Sequence, residues 1–262
     1  MTILVQELKS QKWTVLIWSL SIGLLMMASI LLYPEMSSQM DDMTEMFSNM
    51  GNFTSAFGMD KLDFGTMIGY YMVECGNMIG IGGGLFAAII GISSLMKEER
   101  DRTAEFLLTH PVSRFRVVTE KLLSVVLIIV IMNLVVFVMA VGSVFAIGES
   151  LPWKEIMIYH LSNLLLGIEI ACICFGISAF FCKNGMGIGI GVAALMYFLN
   201  IISNLTKDAE GLKYITPYGY ADGGYINEHG SLNGMYLAVG MSLMALGIVV
   251  AYVKYTRKDI RA

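Results

Sequence analysis

Two carboxylates stand inside long apolar runs, and they have more chemistry to offer than any other residues in this sequence. Glu169 falls near the middle of one run, where an ionised group costs at least ~3 kcal/mol on insertion scales. By default such a residue faces a cavity or a partner rather than lipid. Glu169 is therefore a candidate contact for a substrate or cation in a translocation path. The structural alternative is a protonated or hydrogen-bonded carboxyl at a helix contact. Glu74 lies near the end of another run, and its simpler reading is a group that reaches water.

No catalytic set accompanies them. His110, His160 and His229 are scattered, and the chain carries no HExxH, GxSxG or nucleotide-binding motif. Gly80 to Gly84 resembles a phosphate loop only superficially: it lacks GxxxxGK[ST] and is embedded in apolar sequence. Cys75, Cys172, Cys174 and Cys182 lie in or at the ends of apolar runs, without the paired spacing of a zinc site or disulfide framework. They read as small buried hydrophobes. Met36, Met40, Met43, Met46 and Met50 recur at spacings of 4, 3, 3 and 4, one face of a helix. That stripe predicts packing on the ends of neighbouring helices. A soft-metal Cu(I) site from the thioethers of Met40, Met43 and Met46 is the minor reading. No metal site and no directly bound cofactor is expected.

The elements that must position these residues are membrane spans. Of the 262 residues 56% are hydrophobic and only 15% charged, against about 25% charged in soluble domains. Apolar runs of about 20 residues recur, which predicts an all-α polytopic membrane protein; they do not alternate as barrel strands would. Six spans are expected, near 14–33, 66–96, 122–147, 156–182, 186–205 and 234–253, in one six-span domain covering 1–262. Residues 1–13 read as an amphipathic helix in the headgroup plane, followed by an uncleaved first span ending at Pro34. Outer loops are expected at 34–66, which is acidic, and at 206–233, which contains TPYGYADGGY. Gly76, Gly80 and Gly84 form a small-xxx-small stripe suited to close helix packing. With the N-terminus inside, thirteen of the 17 Lys and Arg fall on inner segments. Both termini are then cytoplasmic and the chain is a multi-pass protein of a plasma membrane, bacterial by expectation.

The densest charge lies at 97–121, KEERDRTAEFLLTHPVSRFRVVTEK, between two spans. Glu98 to Arg102 lead into Ala104, Phe106, Leu107 and Leu108, a short amphipathic helix ended by Thr109-His110-Pro111. Ser113 is placed to cap a second helix running into the third span. Two short surface helices with an apolar face make a docking element; a plain solvated loop would need neither the face nor the break.

This stretch closely resembles the loop after the second span in type-2 ABC exporter permeases, the ABC-2 membrane family. The matching residues are Glu98, Glu99, Arg100, Thr103, Glu105, Leu107, Leu108, Pro111, Ser113, Arg114 and Lys121. Arg102 departs from the pattern, standing where Gly is usual. The likeness extends to the layout of an amphipathic N-terminus, six spans and a long loop before the last.

The resemblance implies a membrane subunit that pairs with a second permease copy, identical or related, in the lipid bilayer. Two separate ABC ATPase subunits, holding ATP and Mg2+, would dock on its inner loops. Glu98, Glu99, Arg100, Thr103, Glu105, Phe106, Leu107 and Leu108 would form the coupling helix that grips them. The segment 206–233 would supply outer re-entrant helices with breaks at Pro217 and Gly219. The chain is then a transporter subunit and not itself an enzyme, without nucleic acid as a partner. Candidate cargoes are a drug, an antimicrobial peptide, a lipid-linked molecule or sodium. Two other classes stay open: an ion-coupled secondary transporter using Glu169, and a non-transporting sensor or scaffold.

Overall fold

The computed structural model describes residues 2–37, 51–100, 112–182 and 185–258. Six of its helices are long and apolar enough to cross a membrane, and among the described residues there are no strands. They are α1 (Thr2–Ser37), α3 (Met67–Arg100), α4 (Arg114–Ala146), α5 (Trp153–Ser178), α6 (Met186–Leu205) and α8 (Gly234–Arg257). The short α2 (Asn52–Ala56) and α7 (Gly223–His229) belong to the connections.

Side chains such as Ile17, Leu25, Leu134, Phe198 and Leu246 are exposed around the outside of the bundle. In water that surface would be unstable; in hydrocarbon it costs nothing, because lipid is as apolar as leucine. The interior therefore has to be held by shape and polar contacts. α3 and α5 are the most enclosed helices and pack along each other. α1 runs beside α4, α8 lies against α5, and α6 against α3.

Backbones touch where glycine allows it. A Cβ on Gly91 would stand 2.3 Å from the Ala171 carbonyl oxygen, so α3 meets α5 backbone to backbone there. Gly176 and Gly247 do the same for α5 and α8, at 2.5 Å from the Gly247 oxygen and 2.6 Å from the Cys172 oxygen.

The helix starts follow local chemistry. Ser113 Oγ accepts from the Arg116 N–H at 3.3 Å, opening α4 two turns before the apolar run. Asn233 caps α8 through Met235 and Tyr236, and Thr66 caps α3 through Gly69.

Three local features differ from the sequence expectation. Residues 2–13 do not form a separate helix: α1 continues unbroken through Trp13, and its 36 residues rise about 54 Å, well beyond a ~30 Å hydrocarbon core. Nothing between Gln11 and Thr14 is a helix breaker, so the amphipathic turns simply extend the span. The same helix passes Pro34 and ends one turn later at Ser37. In α3, residues Tyr71–Cys75 adopt one π-helical turn, the kind of insertion that frees backbone carbonyls and often marks function.

The segment after α6 turns back into the bundle. It forms 3-10 turns at Lys207–Tyr214 and Pro217–Gly219 before α7. Thr216 Oγ1 donates to the Met196 carbonyl at 2.9 Å, half-way back along α6.

Candidate functional site

The first cluster of polar chemistry lies at the end of the bundle that holds the N-terminus. Lys121 is fully buried. It lies on the stripe Val117, Val118, Lys121, Ser124, Val125 and Ile128 that α4 turns inward. Its Nζ donates to Glu7 Oε1 at 3.0 Å and to the Ser94 carbonyl at 2.7 Å, and pairs with Glu98. The other oxygen of Glu7 takes Lys97 at 2.9 Å, and Lys97 also reaches Ser10 Oγ. One buried ammonium thus fastens α1, α3 and α4 to one another. A lone buried lysine would be prohibitive; two carboxylates and a carbonyl offset its desolvation.

Around this knot the other helix ends are tied in. Glu120 Oε2 accepts the Ile3 and Leu4 N–H groups at 3.0 and 3.2 Å, satisfying donors that the first turn of α1 leaves free. Arg116 holds Glu120 at 2.8 Å. Glu99 pairs with Lys258 at 2.9 Å, and Lys258 Nζ donates to the Phe181 carbonyl. Arg114 donates to the Thr256 and Lys258 carbonyls. Both roots of the 101–111 segment are therefore anchored.

Three of the expected motor contacts, Glu98, Glu99 and Arg100, lie within the described residues. Glu98 and Glu99 turn inward onto Lys121 and Lys258 rather than outward, while Arg100 is exposed at the end of α3. Thr103, Glu105, Phe106, Leu107 and Leu108 lie outside the described residues, as do His110 and the methionines 40, 43, 46 and 50 of the expected stripe.

The second cluster lies deeper. Glu169 is fully buried, and its Oε2 accepts the Tyr220 hydroxyl at 2.8 Å. Sixteen residues of α5 separate Glu169 from Trp153, roughly 24 Å of helical rise, so Tyr220 descends far into the bundle. Gly240 of α8 makes the room: a Cβ there would fall 2.4 Å from Glu169 Oε2. Glu169 Oε1 has no partner among the described residues. Tyr218 enters alongside and donates to the Gly80 carbonyl at 2.9 Å.

Glu74 sits half-buried on the π turn and is not brought to Glu169. Its level on α5 is set by Tyr159, whose hydroxyl donates to the Met72 carbonyl at 2.9 Å; Glu169 lies ten residues further, about 15 Å away along the axis. The glycine stripe receives aromatic side chains, not a helix backbone. Gly76 faces the Tyr159 hydroxyl, 1.7 Å from where a Cβ would be, and Gly80 and Gly84 face Tyr218. Close backbone packing uses Gly91 instead.

Sequence reading missed two further features. Tyr71 and His160 bond at 2.7 Å, both buried. Asn77, Asn163, Asn200 and Asn204 line a narrow polar cleft of about 70 Å³ between α3, α5, α6 and the returning segment, with Tyr197, Tyr218 and Asp222. Asparagines spaced through apolar helices were the available signal, since an amide in hydrocarbon needs a partner. Among the described residues, no three His, Cys, Asp or Glu side chains converge as a metal site.

No curated protein and no solved structure matches this chain in the searches made. A family model described as ABC-2 family transporter protein matches residues 1–260, almost the entire sequence. With its six apolar helices and that end-to-end match, the chain belongs to the ABC-2 transporter family.

Proposed function

We propose that this chain is the permease subunit of an ATP-driven exporter, and that segment 101–111 is the point at which a separate ABC ATPase drives it. The supporting observation is the buried Lys121 knot. A loop that only satisfied topology would need no rigid root. Here its first end is fixed by Lys121–Glu98 and Glu99–Lys258 and its second by Arg114 on the Thr256 and Lys258 carbonyls, and the same knot holds α1 through Glu7. Force applied to the segment reaches four membrane helices through ion pairs and short hydrogen bonds.

In this reading the N-terminal end of the bundle is cytoplasmic, and Phe106, Leu107 and Leu108 face the ATPase, which binds ATP and Mg2+. Glu98 and Glu99 position the coupling helix from behind. The 206–233 segment closes the opposite side, with Tyr220 latched on Glu169 and Tyr218 on Gly80. A second permease copy completes the path, and the cargo is a drug or membrane-active peptide.

The test is reconstitution of the chain with its ATPase in proteoliposomes. ATP-dependent cargo movement that stops when the ATPase is omitted supports the reading. Movement driven by an ion gradient alone, without any ATPase, overturns it.

A further inference from the structure

Four asparagines line the cleft between α3, α5, α6 and the returning segment, and three of them are held in one orientation. Asn77 Nδ2 donates to the Val73 carbonyl at 2.9 Å, and Asn163 Nδ2 to the Tyr159 carbonyl at 3.0 Å, each one turn back along its own helix. Asn204 Nδ2 reaches the Ala56 carbonyl at 3.4 Å. A reversed amide would set oxygen against oxygen. The amino groups are therefore taken up by backbone, and the oxygens are what remains.

Not all of these oxygens can be reached. Asn204 Oδ1 is sealed. Asn163 Oδ1 is neither sealed nor paired among the described residues, although its residue is only 6% exposed. Asn77 Oδ1 accepts the Tyr197 hydroxyl at 3.3 Å, a long bond that leaves its second lone pair open. Asn200 is half-buried on α6, and its amide has no hydrogen-bond partner among the described residues. Three reachable amide oxygens thus come from three helices, α3, α5 and α6.

The surroundings suit a small cation. Among the described residues that line the cleft, the one charged side chain is an anion, Asp222, which Lys61 meets at 2.6 Å from outside the lining. The rings of Tyr197 and Tyr218 stand edge to face at 5.4 Å and border the same space; aromatic faces attract cations. At ~10–15 Å³ for each water on this measure, 70 Å³ admits about five water-sized groups. That is too little for a drug-sized molecule and enough for a short amine.

We infer that this cleft binds a primary ammonium group. Its three N–H bonds are matched by three acceptors, the oxygens of Asn77, Asn163 and Asn200, while a short carbon chain lies beside Tyr197 and Tyr218. An alcohol offers one donor and a quaternary ammonium none, so the site separates primary amines from both. It does not rest on the ATPase reading, because binding needs neither ATP nor a partner subunit.

Thermal unfolding of the purified full chain in neutral detergent tests this, since a ligand of the folded state raises the midpoint with concentration. The probe is n-propylammonium chloride. Tetramethylammonium chloride, sodium chloride and n-propanol at the same concentrations control for charge, salt and hydroxyl. A rise in midpoint is expected with n-propylammonium and not with the other three. Asn163→Leu and Asn200→Leu should each raise the concentration needed for a given shift about tenfold, as loss of a hydrogen bond to a charged group does. Asn200→Asp, which keeps the oxygen and adds charge, should lower it. Equal shifts with tetramethylammonium overturn the proposal. So do equal shifts with sodium, which would make the cleft a bare-cation site, or with n-propanol, which would make it a hydroxyl site. Shifts that neither leucine variant changes overturn it too. If Asn163→Leu does not fold, Asn200→Leu, at a half-buried position, still decides.

Discussion

The Tyr220 hydroxyl lies 2.8 Å from Glu169 Oε2, joining a residue of the connection after α6 to the middle of α5. Gly240 borders the same oxygen, and a Cβ there would also stand 2.9 Å from the Tyr220 ring. Three elements therefore meet at one carboxyl. Gly240→Ala should push Glu169 and Tyr220 apart at a cost of about 1–3 kcal/mol. The cost should shrink in a Glu169→Ala background, where the space is open. Thermal unfolding of the four proteins in detergent measures this coupling; additive effects would contradict it.

Tyr220→Phe removes the donor and leaves both oxygens of Glu169 without partners among the described residues. A loss of about 1–3 kcal/mol is expected from the stranded acceptor. Glu169→Gln keeps an acceptor for Tyr220 and should unfold close to the parent. If the latch also closes the path, Tyr220→Phe should raise passive leak of cargo from proteoliposomes while ATPase binding stays unchanged.

Tyr159 donates to the Met72 carbonyl inside the π turn, through space that only Gly76 leaves open. Gly76→Ala should evict the hydroxyl and destabilise by about 2 kcal/mol, combining a lost hydrogen bond with overpacking. Because both changes break the same contact, Gly76→Ala with Tyr159→Phe should cost less than the sum of the two. Unfolding midpoints of the single and double variants check it.

How much of this was legible follows from what sequence patterns encode. Long apolar runs are unambiguous, so α6 starts at Met186 and α8 at Gly234 as expected, and the Ser113 cap is a local signal. Lys121 was harder. Its charge suggests water, yet it falls four residues after Val117 and seven before Ile128, on the inward stripe of α4; phase carried the information that residue type hid. Glycines at 76, 80 and 84 report that something comes close, not whether it is a backbone or a tyrosine. The π turn adds no residue type of its own, and the descent of Tyr218 and Tyr220 depends on contacts more than a hundred residues away in one case and about fifty in the other. Local propensity cannot supply those.

Lys121→Met should be among the most damaging substitutions, because it leaves Glu7 and Glu98 facing a buried space with less or no positive charge. Breaking a buried pair from one side costs about 3–5 kcal/mol. Adding Glu7→Gln and Glu98→Gln removes the stranded charges and should recover much of the lost stability. That triple variant is the informative one: the fold returns without the ion pairs that tie the loop root to α1. ATP hydrolysis by the bound ATPase should persist while cargo movement per ATP falls severalfold.

The division of work within 97–121 gives the last prediction. Glu98 and Glu99 are engaged by Lys121 and Lys258, so under the proposed function their contribution to ATPase binding is positional. Glu99→Gln should lower the unfolding temperature, since it strands Lys258 against the Phe181 carbonyl. Phe106→Ala and Leu107→Ala, if those side chains form the docking face, should leave unfolding unchanged and weaken ATPase retention on purification by tenfold or more, as truncating a buried anchor does. Measuring unfolding and retention on the same preparations separates the two roles. If Glu99→Gln weakens retention with no change in unfolding, the glutamate faces the ATPase directly. If Phe106→Ala and Leu107→Ala change neither quantity, the segment is not where the ATPase binds.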